Sequence, residues 1–393
     1  MRRIAARYVY PLTSAAPIVN GFVELEEDGT VIRTGVCGNP AEEPVFLEGA
    51  LAPGFVNAHC HIELSSMKGL FRKGTGMAGF IDQINALRDT KTREEKVRDL
   101  TEAMDSLWEQ GVVAMADISN GPDSFAVKAR HPMYTRTFLE VFGTEPEDCG
   151  AVMDGVRKLK AEADSFGLDA APTPHACYTM SPELLTAVSV EGLRSGFISF
   201  HSEETEEEEQ MLRSGTGRMW ENRIRAGMSV PPVTGTSSLL YFIDRLLAGH
   251  PAPFDEHILL VHECCLDEEG VAAVKAVMRN PYVAVCPLSN LFIHNTLPPI
   301  DLMRRSGLKI CVGTDSLSSN DDLRIVDELY CLQQGFPEVP LGELLTWACR
   351  NGAEFLSKPE FGALEKGRRP GLVFIENLDA EGRLSAASKS HRL

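Results

Sequence analysis

No run in this 393-residue chain approaches the roughly 18 apolar residues that span a bilayer. Met1-Arg2-Arg3 opens with charge, but no apolar core and cleavage site follow, so no secretory signal is expected. Basic charge is in deficit: 38 Lys and Arg against 56 Asp and Glu leave a net charge of −18. A nucleic-acid surface needs a concentrated basic patch to overcome such a field. Arg304-Arg305 and Arg368-Arg369 are short and isolated, so neither nucleic acid nor membrane is an expected partner. The ten cysteines include no Cys-x-x-Cys pair. Cys286 and Cys311 sit inside apolar runs, where a reduced thiol behaves as a small hydrophobe. This points to a reducing, cytoplasmic setting rather than a disulfide framework. Fixed-period repeats and low-complexity linkers are missing too; the sole biased segment is the acidic run Glu203 to Glu209.

What remains is an ordinary globular composition, 44% hydrophobic and 24% charged. The length suits a barrel of about 250 residues plus an accessory unit. Residues 1–52 read as short strands and turns, with Arg7–Tyr10 and Gly21–Leu25 extended and Glu27-Asp28-Gly29 turning before Val31-Ile32. This predicts an antiparallel unit. From residue 53 the pattern becomes strand, loop, helix. Apolar runs begin at Phe55 and recur at Val112–Ile118, Met133–Phe142, Leu168–Ala171, Phe197–Phe200, Ile258–Val261, Tyr282–Val285 and Lys309–Val312. Helical stretches such as Thr92–Glu109, Asp148–Ala163, Pro182–Leu193 and Glu268–Met278 separate them.

Alternation of this kind predicts a parallel sheet, and eight units predict a closed (β/α)8 barrel over residues 53–355. Its active site would lie at the C-terminal ends of the strands. The intervals 212–256 and 287–308, with Pro231-Pro232 and Pro298-Pro299, are expected to be extended loops over that face. After a helix near Leu341–Phe355, Phe361–Gly367 and Gly371–Ile375 read as a hairpin. Residues 356–393 are expected to join 1–52 in one composite β-sandwich.

The predicted strand ends are polar. His59 and His61, separated by one residue, share a face of an extended strand and can aim two nitrogens at one point. Later runs end Pro174-His175, His201-Ser202-Glu203-Glu204, Val261-His262 and Gly313-Thr314-Asp315. Five of the ten histidines fall at these few positions. A catalytic divalent metal takes nitrogen and carboxylate ligands and keeps one position for water. His59, His61, His201 and Asp315 supply three nitrogens and one oxygen. Each has a bland alternative as a hydrogen-bonded core residue or, for Asp315, a turn cap. Their joint occurrence at strand ends favours one divalent metal. Zinc is expected, although iron and manganese also suit such a set.

Glu204, three residues beyond His201, has the place of a general acid–base. Glu206 to Glu209 read instead as a solvated helix face. His262 is a candidate to orient water and His175 to touch a small-molecule substrate. Glu63, Arg136, Glu140 and Asn290 are further substrate-pocket candidates. Met219 and Trp220 are assigned to the core. Residues 167–180 hold no lysine, the usual source of a bridging group for a second metal, so one ion is expected.

Taken in order, Pro53–His61, Pro174-His175-Ala176, His201–Glu204, Val261-His262-Glu263, Cys286–Asn290 and Gly313–Ser316 resemble the amidohydrolase superfamily, in its nucleobase and nucleoside deaminase branch. That resemblance covers nearly the whole chain. It implies metal ligands at His59, His61, His201 and Asp315, a proton shuttle at Glu204, a water-orienting His262 and a substrate contact at His175. Within the branch, His61–Ser65 and Ser289–Ile293 are most similar to aminodeoxyfutalosine deaminases, which hydrolyse the 6-amino group from an adenine nucleoside. Methylthioadenosine and adenosylhomocysteine deaminases share most of these motifs. Other aminopurine or pyrimidine deaminases, a ring chlorohydrolase or cyclic amidase on the same site, and an inactive metal-binding scaffold are the alternatives. A homodimer is compatible with the sequence, which does not set the subunit count.

Overall fold

The computed structural model describes residues 1–14 and 16–393. Its strands are β1 (Arg2–Val9), β2 (Ile18–Leu25), β3 (Val31–Val36), β4 (Phe46–Pro53), β5 (Phe55–Cys60), β6 (Val112–Ser119) and β7 (Tyr134–Val141). They continue as β8 (Asp169–Pro174), β9 (Phe197–Ser202), β10 (His257–His262), β11 (Pro281–Val285), β12 (Lys309–Val312), β13 (Leu372–Glu376) and β14 (Lys389–Arg392). All eight expected apolar runs are strands, β5 to β12.

These eight form two four-stranded parallel sheets, β5-β6-β7-β8 and β9-β10-β11-β12. Every residue of β5 and β6 is buried, as a parallel sheet covered on both faces requires. One apolar cluster, including Val56, Ala114, Phe138, Leu259, Ala284 and Phe355, draws on both sheets. A larger one lies against the helices, where Phe200 of β9 stacks on Phe242 with ring centroids 3.7 Å apart. At one seam Ala176 bridges His201, and at the other Cys60 bridges Asp315. Both seams thus meet at metal-ligand candidates.

The helices follow their terminal signals. Thr92 and Glu95 make a reciprocal capping box before Arg93–Glu109. Ser181 caps Pro182–Ser195, which Gly196 ends at φ 84°. No helix among the described residues is long and apolar enough to cross a membrane.

Strands from both ends of the chain share one six-stranded sheet, β14-β13-β4-β1-β2-β3. The expected sandwich is, in its described strands, this single sheet. It is also not purely antiparallel, because β1 pairs with β4 in parallel. The expected 361–375 hairpin does not form. Gly362, Gly367 and Gly371 all take positive φ, which breaks extension there, and β13 pairs with β4 and β14 instead.

The two long intervals are largely helical rather than extended. Helices Arg218–Arg225 and Ser238–Gly249 occupy the first, and Pro287–His294 and Ile300–Ser306 the second. Ser237 caps one of them through the Leu240 N–H, and Pro287 opens another with its fixed φ.

Candidate active site

The ends of β5, β9 and β12 bring four side chains together. His59 and His61 approach with their Nε2 atoms 3.1 Å apart, and His61 and His201 at 3.2 Å. Asp315 Oδ1 lies 3.5 Å from His61 Nε2 and 3.8 Å from His59 Nε2. Four ligands held tetrahedrally at about 2.05 Å from zinc would stand about 3.3 Å from one another. The spacing therefore fits a divalent ion, with His59, His61 and Asp315 one of three possible ligating groupings among the described residues.

Local backbone explains how these atoms converge. Thr314 N–H and Asp315 N–H both donate to His59 C=O, at 3.0 and 3.1 Å, tying β5 to the end of β12. Gly313 lies flush against that carbonyl; a Cβ there would come within 2.8 Å of His59 O and Cβ. Asp315, with φ 54°, takes the left-handed conformation, as do Glu203 (47°), His262 (78°) and Glu263 (52°). Such residues cost on the order of 1–3 kcal/mol each and cluster at functional sites.

Neighbouring groups orient the ligands. His201 Nδ1 faces His175 C=O at 3.2 Å, which turns its Nε2 inward. His59 is fully buried, and its Nδ1 has no hydrogen-bond partner among the described residues. Asp315 Oδ2 accepts from Ser289 Oγ at 2.5 Å and Ser319 Oγ at 2.8 Å. Burial favours neutral rings at His59 and His201, pushing both well below the usual histidine range. Neutral imidazole is the ligand form. Burial would raise the Asp315 carboxyl, but His61 and His262 and the Ser289 hydroxyl hold it below its usual value.

A cavity of about 520 Å³ opens over this cluster, a volume typical of small-molecule sites. Glu204, His262, His175 and Glu140 line it beside the ligands. Glu204 Oε1 lies 3.6 Å from His262 Nε2. Burial, with Asp315 and Glu208 nearby, drives the Glu204 carboxyl well above its usual value. Burial likewise pushes His262 down to about 4 and His175 down to about 3. Glu140 Oε1 stands 3.6 Å from His201 Nδ1 and 3.8 Å from His175 Nε2.

Three of the expected pocket residues lie elsewhere. Arg136 is the third residue of β7, towards the opposite end of the strand from the cavity. Its guanidinium pairs with Asp169 Oδ1 at 2.5 Å, bonds Ser195 Oγ and sits 4.1 Å over the Phe197 ring. Glu63 does not line the cavity and accepts from Asn120 N–H and Ser124 Oγ at 2.9 and 3.0 Å. Burial lifts its carboxyl to about 7. Asn120 in turn bonds Glu140 Oε2 at 2.8 Å and does line the cavity. Asn290 contacts His262 Nδ1 at 3.0 Å and does not line the cavity.

Sequence reading missed other members. Met219, assigned to the core, forms part of the cavity wall with Met77 and Met211. Glu208 and Glu209, expected on a solvated face, are buried; Glu208 Oε2 accepts the Glu204 N–H at 2.9 Å and Glu209 Oε1 the Ser238 N–H at 3.0 Å. Asp117 accepts the Ile62 N–H at 2.8 Å, just past His61, and is paired with the fully buried Lys128. No residue-type signal marked these. A capping role for the acidic run could have been suspected from Thr205, which caps the Glu206–Ser214 helix.

The chain belongs to the amidohydrolase family, whose model matches residues 50–389. Among characterised relatives, an adenosine deaminase of Helicobacter pylori is 26% identical over 337 residues, covering 83% of this chain and 79% of that protein. A 5-methylthioadenosine/S-adenosylhomocysteine deaminase of Bacillus cereus is 24% identical over 382 residues, with 91% and 81% covered. In three dimensions the chain matches the Helicobacter pylori aminofutalosine deaminase solved with methylthio-coformycin, with a TM-score of 0.78 and 23% identity. That match covers 98% of this chain and 94% of the other, and at such identity it carries the fold.

Proposed function

We propose that this chain is a metal-dependent deaminase of an adenine-type nucleoside, aminodeoxyfutalosine-like in substrate, working in a closed (β/α)8 barrel formed by β5 to β12. The carrying observation is the meeting of three imidazole Nε2 atoms and the Asp315 carboxylate in a cavity also lined by Glu204 and His262. The relatives named above support nucleoside deamination over other chemistry on such a site.

His59, His61, His201 and Asp315 would hold one divalent ion, most simply zinc. When bound, such an ion makes water acidic near neutral pH. Asp315 takes the proton released as a water oxygen attacks the amine-bearing ring carbon. Glu204, whose carboxyl burial drives well above its usual value, delivers its proton to the adjacent ring nitrogen. His262, neutral through burial, donates an N–H to the attacking oxygen. The C–N bond then breaks as the new hydroxyl becomes the ring carbonyl and returns its proton to Glu204, and the departing nitrogen leaves as ammonia with the proton held by Asp315. His175 and Glu140 contact the substrate, while Asn120 braces Glu140. Residues 1–52 and 356–393 form the accessory unit on this scheme, and 53–355 the catalytic one.

The test is ammonia release from a panel of adenine nucleosides with varied 5′ substituents, run beside guanine, cytosine and chlorotriazine compounds. Turnover of 5′-extended adenine nucleosides supports the assignment. Preference for methylthioadenosine or S-adenosylhomocysteine would move it to the neighbouring specificity. Chloride release without ammonia would overturn it.

A further inference from the structure

Geometry alone leaves the ligand set open. His59, His201 and His262 form one group with ligand atoms within 4.8 Å of one another, and His59, His61 and Asp315 form a second. His262 is thus near enough to ligate, although the proposed chemistry gives it another task. What separates the two roles is which ring nitrogen carries the hydrogen. A lone pair on Nε2 makes His262 a ligand; a hydrogen there makes it a donor only.

We infer that Asn290 makes this choice, acting as a positioning residue that holds His262 as its Nε2–H tautomer. The amide nitrogen of Asn290 is turned to His262 Nδ1 at 3.0 Å. An NH2 group only donates, so Nδ1 is the acceptor and the ring hydrogen sits on Nε2. The amide is completely buried, and its Oδ1 has no partner among the described residues. A buried carbonyl left unsatisfied is uncommon and calls for a reason. Among the described residues, His262 is the side-chain partner of this amide.

The surroundings keep Asn290 in place. It lies in the first turn of the Pro287–His294 helix, where Leu288 N–H donates to Glu328 Oε2 at 2.9 Å. Asn320 bonds the other Glu328 oxygen at 2.7 Å. The adjacent Ser289 donates to Asp315 Oδ2. One anchored turn thereby fixes both Asp315 as a ligand and His262 as a donor. On the cavity side, Glu204 Oε1 at 3.6 Å is too far for a direct hydrogen bond, so it does not set the tautomer. This inference deepens the proposed role of His262 and rests on it.

Nitrogen NMR of the native, zinc-loaded protein labelled with ¹⁵N-histidine reads the tautomer directly, with a His262→Gln sample identifying the ring. Hydrogen on Nε2 with a bare Nδ1 supports the inference; hydrogen on Nδ1, or on both nitrogens near neutral pH, overturns it. Asn290→Asp supplies the converse, because a carboxylate only accepts and pulls the hydrogen to Nδ1. Its kcat is expected to fall at least about 100-fold, as for loss of a proton-handling group, with zinc affinity kept or increased. Equal losses of zinc affinity and thermal stability would mark a merely structural role and overturn the inference, as would kcat within about threefold of native. Should Asn290→Asp not fold, the native spectrum still decides. Should the native protein deaminate nothing, the spectrum judges the tautomer independently of that failure.

Discussion

Ser289→Ala should weaken metal binding without unfolding the protein. Asp315 Oδ2 accepts from two buried hydroxyls, Ser289 at 2.5 Å and Ser319 at 2.8 Å, leaving Oδ1 to face His59 and His61. A hydrogen bond to a charged group contributes about 1.5–3 kcal/mol. At about 1.4 kcal/mol per decade, that is roughly 10- to 150-fold in affinity. Loss of an outer contact to a metal ligand typically costs 10- to 100-fold, the same range. Because both hydroxyls serve one oxygen, each can partly compensate for loss of the other, so the double variant with Ser319→Ala should lose more than the product of the single losses. Competition between metal-free protein and a chromophoric chelator for zinc measures this, with a thermal scan of each variant to confirm folding. Native zinc affinity in Ser289→Ala would refute the placement of Asp315 as an oriented ligand.

Lys128→Met should strand the buried Asp117 charge and cost on the order of 3–5 kcal/mol, read from a denaturant midpoint; a change below about 1 kcal/mol would contradict the pairing. Arg136→Ala should lose the Asp169 pair and the Phe197 packing, about 1–3 kcal/mol of stability, yet leave KM unchanged; a KM shift would return Arg136 to the substrate pocket. Glu208 is lifted to about 8 by burial and Glu209, against an unfolded value near 4.5. Between those values the folded state holds a proton that the unfolded state has lost, so stability falls as pH rises from about 4.5 to 8. Glu208→Gln removes that contribution, and its melting temperature should drop less than native between pH 5 and pH 8; parallel curves would count against a protonated Glu208.

The strand ends were legible because chemistry there breaks an apolar pattern. His59, His61, His201, His262 and Asp315 each follow a buried run, and the structure gathers them at one place. Arg136 misled because residue type was weighed without position. It is the third residue of β7, so its end of the strand could have excluded it. Helices 218–225, 238–249 and 287–294 were hidden by prolines and glycines around them, although Ser237 and Pro287 were visible start signals. Asn290 and Glu63 were expected in the substrate pocket; they bond His262 and Asn120 instead. Which neighbour a buried amide or carboxyl serves depends on packing between distant segments. The same holds for Lys128 and Asp117, whose pairing no local spacing announces.

The most direct measurement compares ammonia released from one 5′-substituted adenine nucleoside by zinc-loaded native protein and by Glu204→Gln, with zinc content determined on both. Full zinc in both samples, steady release by the native protein and a loss of at least about 100-fold in the variant are predicted. Equal release by the two, or a zinc-loaded native protein silent on every adenine nucleoside offered, would contradict the account.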